Sequence, residues 1–420
     1  MLFDRRTFLR TIGVGGSGVA GIFAGRTAAE TTVTNDESGA GSHFDPTVGF
    51  ADPAPWLEDD DVEVLKVSEP AREPLAAAID RDGPRVIVFE TSGTIDLEMK
   101  SLEISNNKCW IAGQTAPTPG ITLVRGGLYV EADDCVVQHL RVRPGDADAE
   151  PGSGWEPDAM HTGDDTKNNV IDHCSTSWAV DETLSVGYRT EDTTVSNCII
   201  AEGLNDATHT KGEHGYGTLV GDLATNVTLV GNVWAHNTGR NPAPKGGTTS
   251  VIANNVIYHA TDWITSFGGP GPGSDVPARS VVENNAYLRI GSHFIQFGHV
   301  HYDGNYMAPG TPAAVDKRLD ERPLWPAGLE LLPSGAVVDH QSAYVGARPA
   351  DRTYHDRRIV EDVRASTGSI IDSQAEVGGY PALDVNTREL HVPTDTLRSW
   401  LRAHAVTVEQ PRAKRRARSD

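Results

Sequence analysis

A chain of 420 residues can bury a large core, and 43 glycines, 25 prolines and only 6% aromatics suit tight turns and short strands better than a helical bundle. The formal net charge of −22 argues against nucleic acid as a partner. The carboxylates are scattered through turn-like stretches (Glu58-Asp59-Asp60-Asp61, Asp133-Asp134, Asp146, Asp148), so they describe a hydrated, monomeric surface and give no sign of a cationic substrate. Such a surface suits a halophile and an ordinary acidic secreted protein equally well.

At the N-terminus, Asp4-Arg5-Arg6-Thr7-Phe8-Leu9 is a twin-arginine motif. The apolar, Gly-rich run Thr11 to Gly25 follows, and then the small residues Thr27-Ala28-Ala29. Residues 1–29 therefore read as a twin-arginine signal peptide, too short and glycine-rich for a membrane span. The expected mature protein is secreted and has no membrane partner. Residues 30–84 are polar and Pro-rich, a capping segment with one short helix expected over Glu73 to Asp80.

From residue 85 an internal repeat emerges. Val136 to Val142, Val170 to Cys174, Thr194 to Ile199, Thr228 to Val233, Ile252 to Ile257, Val282 to Tyr287 and His301 to Tyr306 align as seven copies of one pattern. One column reads His139, His173, Asn197, Asn232, Asn255, Asn285, Asn305, at spacings of 34, 24, 35, 23, 30 and 20. A single strand–turn–strand coil cannot bury its own apolar side, whereas stacked coils ~4.8 Å apart share a continuous interior. An Asn column can chain amide hydrogen bonds at a turn. The fold class expected is all-β, a right-handed parallel β-helix over 85–315.

Cys109, Cys135, Cys174 and Cys198 match neither a disulfide framework nor a zinc signature, and read as buried rung residues. The long insertions 143–168 and 201–225 should emerge close together from the scaffold, where function is usually carried. Residues 316–404 form a C-terminal extension packing on the β-helix, with a helix expected over Asp395 to His404. Residues 405–420 form a basic tail with no fixed structure expected.

Three stretches hold the chemistry: Glu156-Pro157-Asp158-Ala159-Met160, Ser177 to Ser185 with Asp181-Glu182 inside it, and Gly239-Arg240-Asn241-Pro242-Ala243-Pro244-Lys245. All lie in or beside consecutive coils, so they can share one face. Here the sequence resembles family 1 of the polysaccharide lyases, the pectate lyases. Val170-Ile171-Asp172-His173-Cys174 resembles the family's WIDHC segment, with Val for Trp. Arg240 to Lys245 resembles its R-x-P-x-x-R motif, with Lys at the last place, and Asp158-Ala159-Met160 resembles its DAI element.

The resemblance implies calcium-assisted β-elimination on polygalacturonate, an acidic polysaccharide, with Arg240 as the base. Ca2+ would be held by Asp158 and Asp181, with Glu182 and Glu156 as neighbours. Lys245 and Lys211 would hold substrate carboxylates. Removing a proton beside a charged carboxylate needs that charge neutralised, and a hard cation with ~6–8 oxygen ligands suits the task. Two departures bear on the shell: the family's second acidic ligand of the later pair falls on Ser185, and its substrate lysine falls on Tyr216. On the residues alone, Asp158 and Asp181 are also ordinary turn formers, and Arg240 an ordinary loop residue. Two other readings stay open. One is a polygalacturonase-type hydrolase using Asp164-Asp165 and the 214–217 stretch, and the other is a non-catalytic polysaccharide-binding β-helix.

Overall fold

In the computed structural model, residues 42–58, 61–291, 293–309, 315 and 317–410 are described. The signal-peptide reading of 1–29 and the tail from 411 onward lie outside them. Each coil carries three short strands. Lys167–Asp172, Ser175–Ser177 and Leu184–Val186 make up one turn of the solenoid, and Glu191–Ser196 begins the next. Like strands stack into sheets of ten, nine and six strands, with parallel pairing between neighbours. This is a parallel β-helix.

The interior follows from that register. Ile87, Ile111, Val137, Ile171, Val195, Leu229, Ile252 and Val282 stand directly above one another and are all fully buried. Each contributes on the order of 1.5–3 kcal/mol of apolar burial. The expected short helix spans Arg72–Ile79, and its Leu75, Ala78 and Ile79 continue the same core. All four cysteines are free and buried, with Cys174 and Cys198 on adjacent coils where the Cys174 N–H meets the Cys198 sulfur.

The polar column needs a correction. Ser196 pairs with Val230, which places Asn197 beside Gly231 and Cys198 beside Asn232. The seven residues read as one column are therefore two. His139, His173, Asn197, Asn254 and Asn284 hold the left-handed turn position, together with Gly231 and Gly304. The amide ladder is Asn232, Asn255, Asn285 and Asn305, with Nδ2-to-Oδ1 distances of 3.2, 2.9 and 2.9 Å, and it continues upstream as Cys198 and Cys174. The spacing of 35 in the column is the slip.

Two of the three outer faces are covered by the C-terminal extension. Helix Leu397–Glu409 lays Leu397 and Leu401 on Val86, Val88, Trp110, Val136 and Val170 of the ten-stranded sheet. It runs past residue 405, the boundary drawn for the tail. Helices Ser334–Tyr344 and Tyr354–Ala365, absent from the sequence reading, cover the nine-stranded sheet through Val337, Ile359, Val360 and Val363. The second of these also seats Asp356 between Arg141 and Arg143, all three fully buried. The six-stranded sheet presents Tyr129, His161 and Ser185 on its outward side, and the site lies there.

Candidate active site

The turn from the nine-stranded to the six-stranded sheet supplies the site residues on four successive coils. Asp158 and Glu182 precede the paired strands Met160–Thr162 and Leu184–Val186 by the same interval. Glu182 then pairs with Tyr216, and Tyr216 with Gly239, next to Arg240. Stacking thus converts residues 82 positions apart in sequence, Asp158 and Arg240, into neighbours on one groove wall.

Three of the four predicted metal residues converge. Carboxylate oxygens of Asp158, Asp181 and Glu182 lie within 4.8 Å of one another. Asp158 is held from two sides, by the Glu182 backbone N–H at 3.0 Å and by His161 Nδ1 at 3.0 Å. Burial and the charge of Asp181 push the Asp158 carboxyl up, against the pull of His161. For Asp181 burial is outweighed by the His214 hydrogen bond at 2.8 Å and by the nearby His209 and Arg240, and its carboxyl is lowered. An all-oxygen cluster in which the charge of Asp181 raises the Asp158 carboxyl suits a hard divalent cation, so the residues present fit calcium. Glu156 stands apart from the cluster. It accepts from the Thr210 N–H and hydroxyl at 2.7 and 2.5 Å, which ties the two insertions together.

Arg240 forms an ion pair with Glu182, and its guanidinium lies 4.4 Å from the centre of the Tyr216 ring. Its side chain is 21% exposed. Burial holds its pKa below the usual arginine value, although Asp181 and Asp158 pull the other way. Lys245 is half-buried, and both burial and the Arg240 charge lower its pKa, which places a second cation beside the first. Lys211 is exposed in the insertion beside His209, with its backbone N–H on His209 Nδ1.

The sequence reading passed over His161 and Glu131. His161 bridges Asp158 and Glu131, at 3.0 and 2.7 Å, and lies flat on Tyr129 with ring centroids 4.0 Å apart. Burial disfavours its charge, but the two carboxylates prevail and lift its pKa to about 9. Its position three residues after Asp158 was the available signal. Tyr216 continues a row of rings, His209–His214–Tyr216–Trp263, at centroid separations of 4.0, 4.2 and 5.3 Å. Glu131, Asp158, His161, Glu182 and Ser185 line a groove of ≈ 400 Å³.

Carboxylates, a guanidinium and a lysine share one open face of a parallel β-helix, and the chain's relatives assign it to the class of polysaccharide lyases. The chain is 30% identical over 357 residues to probable pectate lyase C from Aspergillus flavus and, equally, from Aspergillus oryzae, covering 79% of either chain in each case. It belongs to the pectate lyase family, family 1 of the polysaccharide lyases. No family model matches the chain. Among solved structures, the fold is shared with a Bacillus subtilis pectate lyase at TM-score 0.51, 12% identical and covering 72% of this chain and 97% of that one. A Bacillus pectate lyase in complex with trigalacturonate aligns at TM-score 0.50, 15% identical, over 69% of this chain and 94% of the other.

Proposed function

We propose that the protein is a secreted pectate lyase that cleaves polygalacturonate by calcium-assisted β-elimination, with Arg240 as the base. The observation that carries this reading is the meeting of Arg240 with the Asp158–Asp181–Glu182 cluster on one groove wall. Bound there, Ca2+ would neutralise the uronate carboxylate and so acidify the adjacent C–H. Asp158, Asp181 and Glu182 would hold the ion, and His161 fixes the orientation of Asp158. Lys245 offers its ammonium to a substrate carboxylate beside Arg240. The neutral guanidine of Arg240 takes the proton, and burial favours that form. Ser185, in register with His161 on the next coil, gives the shell a hydroxyl where the family pattern has a carboxylate.

The hydrolase reading has less support. Asp164 and Asp165 are exposed, and Asp165 is held by Arg189 at 2.6 Å. The non-catalytic reading gives no role to a half-buried guanidinium set against carboxylates. Polygalacturonate incubated with the protein should develop the ultraviolet absorbance of an unsaturated uronide, and chelation should abolish it. Reducing ends without absorbance would mean hydrolysis, and binding without either would mean a non-catalytic protein. Export through the twin-arginine route is read from Arg5-Arg6, and replacing both with Lys should retain the precursor in the cytoplasm. A monomer and tolerance of high salt complete the reading, both argued from the surface charge.

A further inference from the structure

A second cluster lies on the ten-stranded sheet side, away from the six-stranded sheet and its groove. His139 and His173 occupy the left-handed turn position on adjacent coils, and their rings stack 5.1 Å apart. Asp172 precedes His173. Glu409, the last residue of helix Leu397–Glu409, comes down from above. One ligand atom from each of the four can be chosen so that all lie within 4.8 Å of one another.

The hydrogen bonding leaves a buried imidazole nitrogen of this cluster without a partner. His139 Nδ1 is 2.8 Å from the Ala347 carbonyl oxygen, which can only accept, so Nδ1 carries the hydrogen and the neutral ring keeps its lone pair on Nε2. That Nε2 is buried without a hydrogen-bond partner, on a residue 0% exposed, and faces Glu409 Oε1 at 3.5 Å. The two atoms thus face one another across a gap longer than a normal hydrogen bond. A ring N–H given to a backbone carbonyl is also the outer-shell arrangement that orients metal-ligating histidines. His173 is 1% exposed, and the ring atom it turns to the cluster is Nδ1, 3.0 Å from Asp172 Oδ2 and 3.8 Å from Glu409 Oε1. Asp172 is in turn pinned by Gln138, Ser196 and Asn197 at 2.9, 2.7 and 2.9 Å. Three of the six separations among His139 Nε2, His173 Nδ1, Asp172 Oδ2 and Glu409 Oε1 are 3.0, 3.5 and 3.8 Å, around the ~3.3 Å edge of a tetrahedron with ~2.0 Å bonds. A cavity of ≈ 140 Å³ lined by His173 and Glu409 leads to the cluster.

We infer that His139, His173, Asp172 and Glu409 form a binding site for a borderline divalent transition metal of the zinc type, which staples the C-terminal helix to the β-helix. Two imidazoles and two carboxylates suit Zn2+ or Co2+, whereas Ca2+ prefers an all-oxygen shell of higher number. On entry of the ion, the proton shared by His173 and Asp172 leaves to solvent. The inference is independent of the lyase reading, because the two clusters share no residue.

The test is metal-stripped full-length protein titrated with Co2+ and Zn2+. One tightly held equivalent should bind, with the visible absorption of four-coordinate Co2+, and Zn2+ should raise the melting temperature. Glu409→Gln and His139→Gln should each weaken binding by more than the ~10–100-fold expected for losing an outer-shell partner, and should remove the thermal shift. Asp181→Asn, in the groove cluster that also includes His209 and His214, should leave the Co2+ spectrum intact. Absence of tight uptake by the unmodified protein overturns the inference. So does uptake that survives both first variants, or that disappears in Asp181→Asn. The stoichiometry and spectrum of the unmodified protein decide the matter even where a variant fails to fold.

Discussion

Arg240 feels two opposed influences: burial favours its neutral form, and Asp181 and Asp158 favour its charged form. Burial prevails, so its pKa is lowered, yet it starts so high that the basic form still grows with alkalinity. Turnover should therefore rise from about pH 6 to 10, and a flat profile across that span would remove arginine from the role of base. Arg240→Lys keeps a cation opposite Glu182 and so avoids stranding a buried carboxylate. It should lower kcat by ~10²–10⁴-fold while trigalacturonate binding, measured by calorimetry, persists. His161 works one step further out. His161→Gln releases one oxygen of Asp158, and the calcium dissociation constant should rise by ~10–100-fold in a direct titration.

Among the elements, helix Tyr354–Ala365 is held by an ion triad. Arg141 and Arg143 reach Asp356 at 2.9 and 2.6 Å with no solvent contact. Asp356→Ala leaves two buried guanidinium groups without their carboxylate and should cost about 3–5 kcal/mol in denaturant unfolding. Burial pushes the Asp356 carboxyl up, but the two arginines outweigh it and hold it below the usual range. The triad's stability is therefore full above ~pH 3.9 and is lost as pH falls through the depressed value. The acid unfolding of Asp356→Ala should accordingly lack that component. The amide ladder makes a second prediction. Asn255 accepts from the Asn232 N–H at 2.8 Å and donates to the Leu229 carbonyl at 2.9 Å. Asn255→Ala strands both groups inside the coil, at about 1–3 kcal/mol each, readable as a lowered denaturation midpoint.

For the whole molecule, the relevant quantity is a charge of −22 spread over the surface. Mutual repulsion destabilises the compact state and salt screens it, so the melting temperature should rise with added KCl. The solenoid was legible because each coil must satisfy the same constraints. Ile171, Val195 and Leu229 repeat because one interior column repeats them. The helices over 334–344 and 354–365 were not legible: the second buries His355, Asp356 and Asp362, and an apolar period cannot register a face that pairs with distant arginines. Along the chain Glu156 is a neighbour of Asp158, yet only stacking shows it turned to Thr210 and away from the cluster. His161 went unnoticed because its partner Glu131 lies one coil away, 30 positions earlier. The one-residue slip at Asn197 has a similar origin. Asn suits both the left-handed turn and the ladder, and hydrogen-bonded register alone separates the two.

The sequence by itself determined that this protein is a stack of coils carrying acidic and basic residues on neighbouring turns. Burial period, turn chemistry and motif order are local properties, repeated until they become readable. Tertiary structure decided which of those residues meet, because a distance across coils depends on register and on the packing of covering helices. Neither is written within any one repeat.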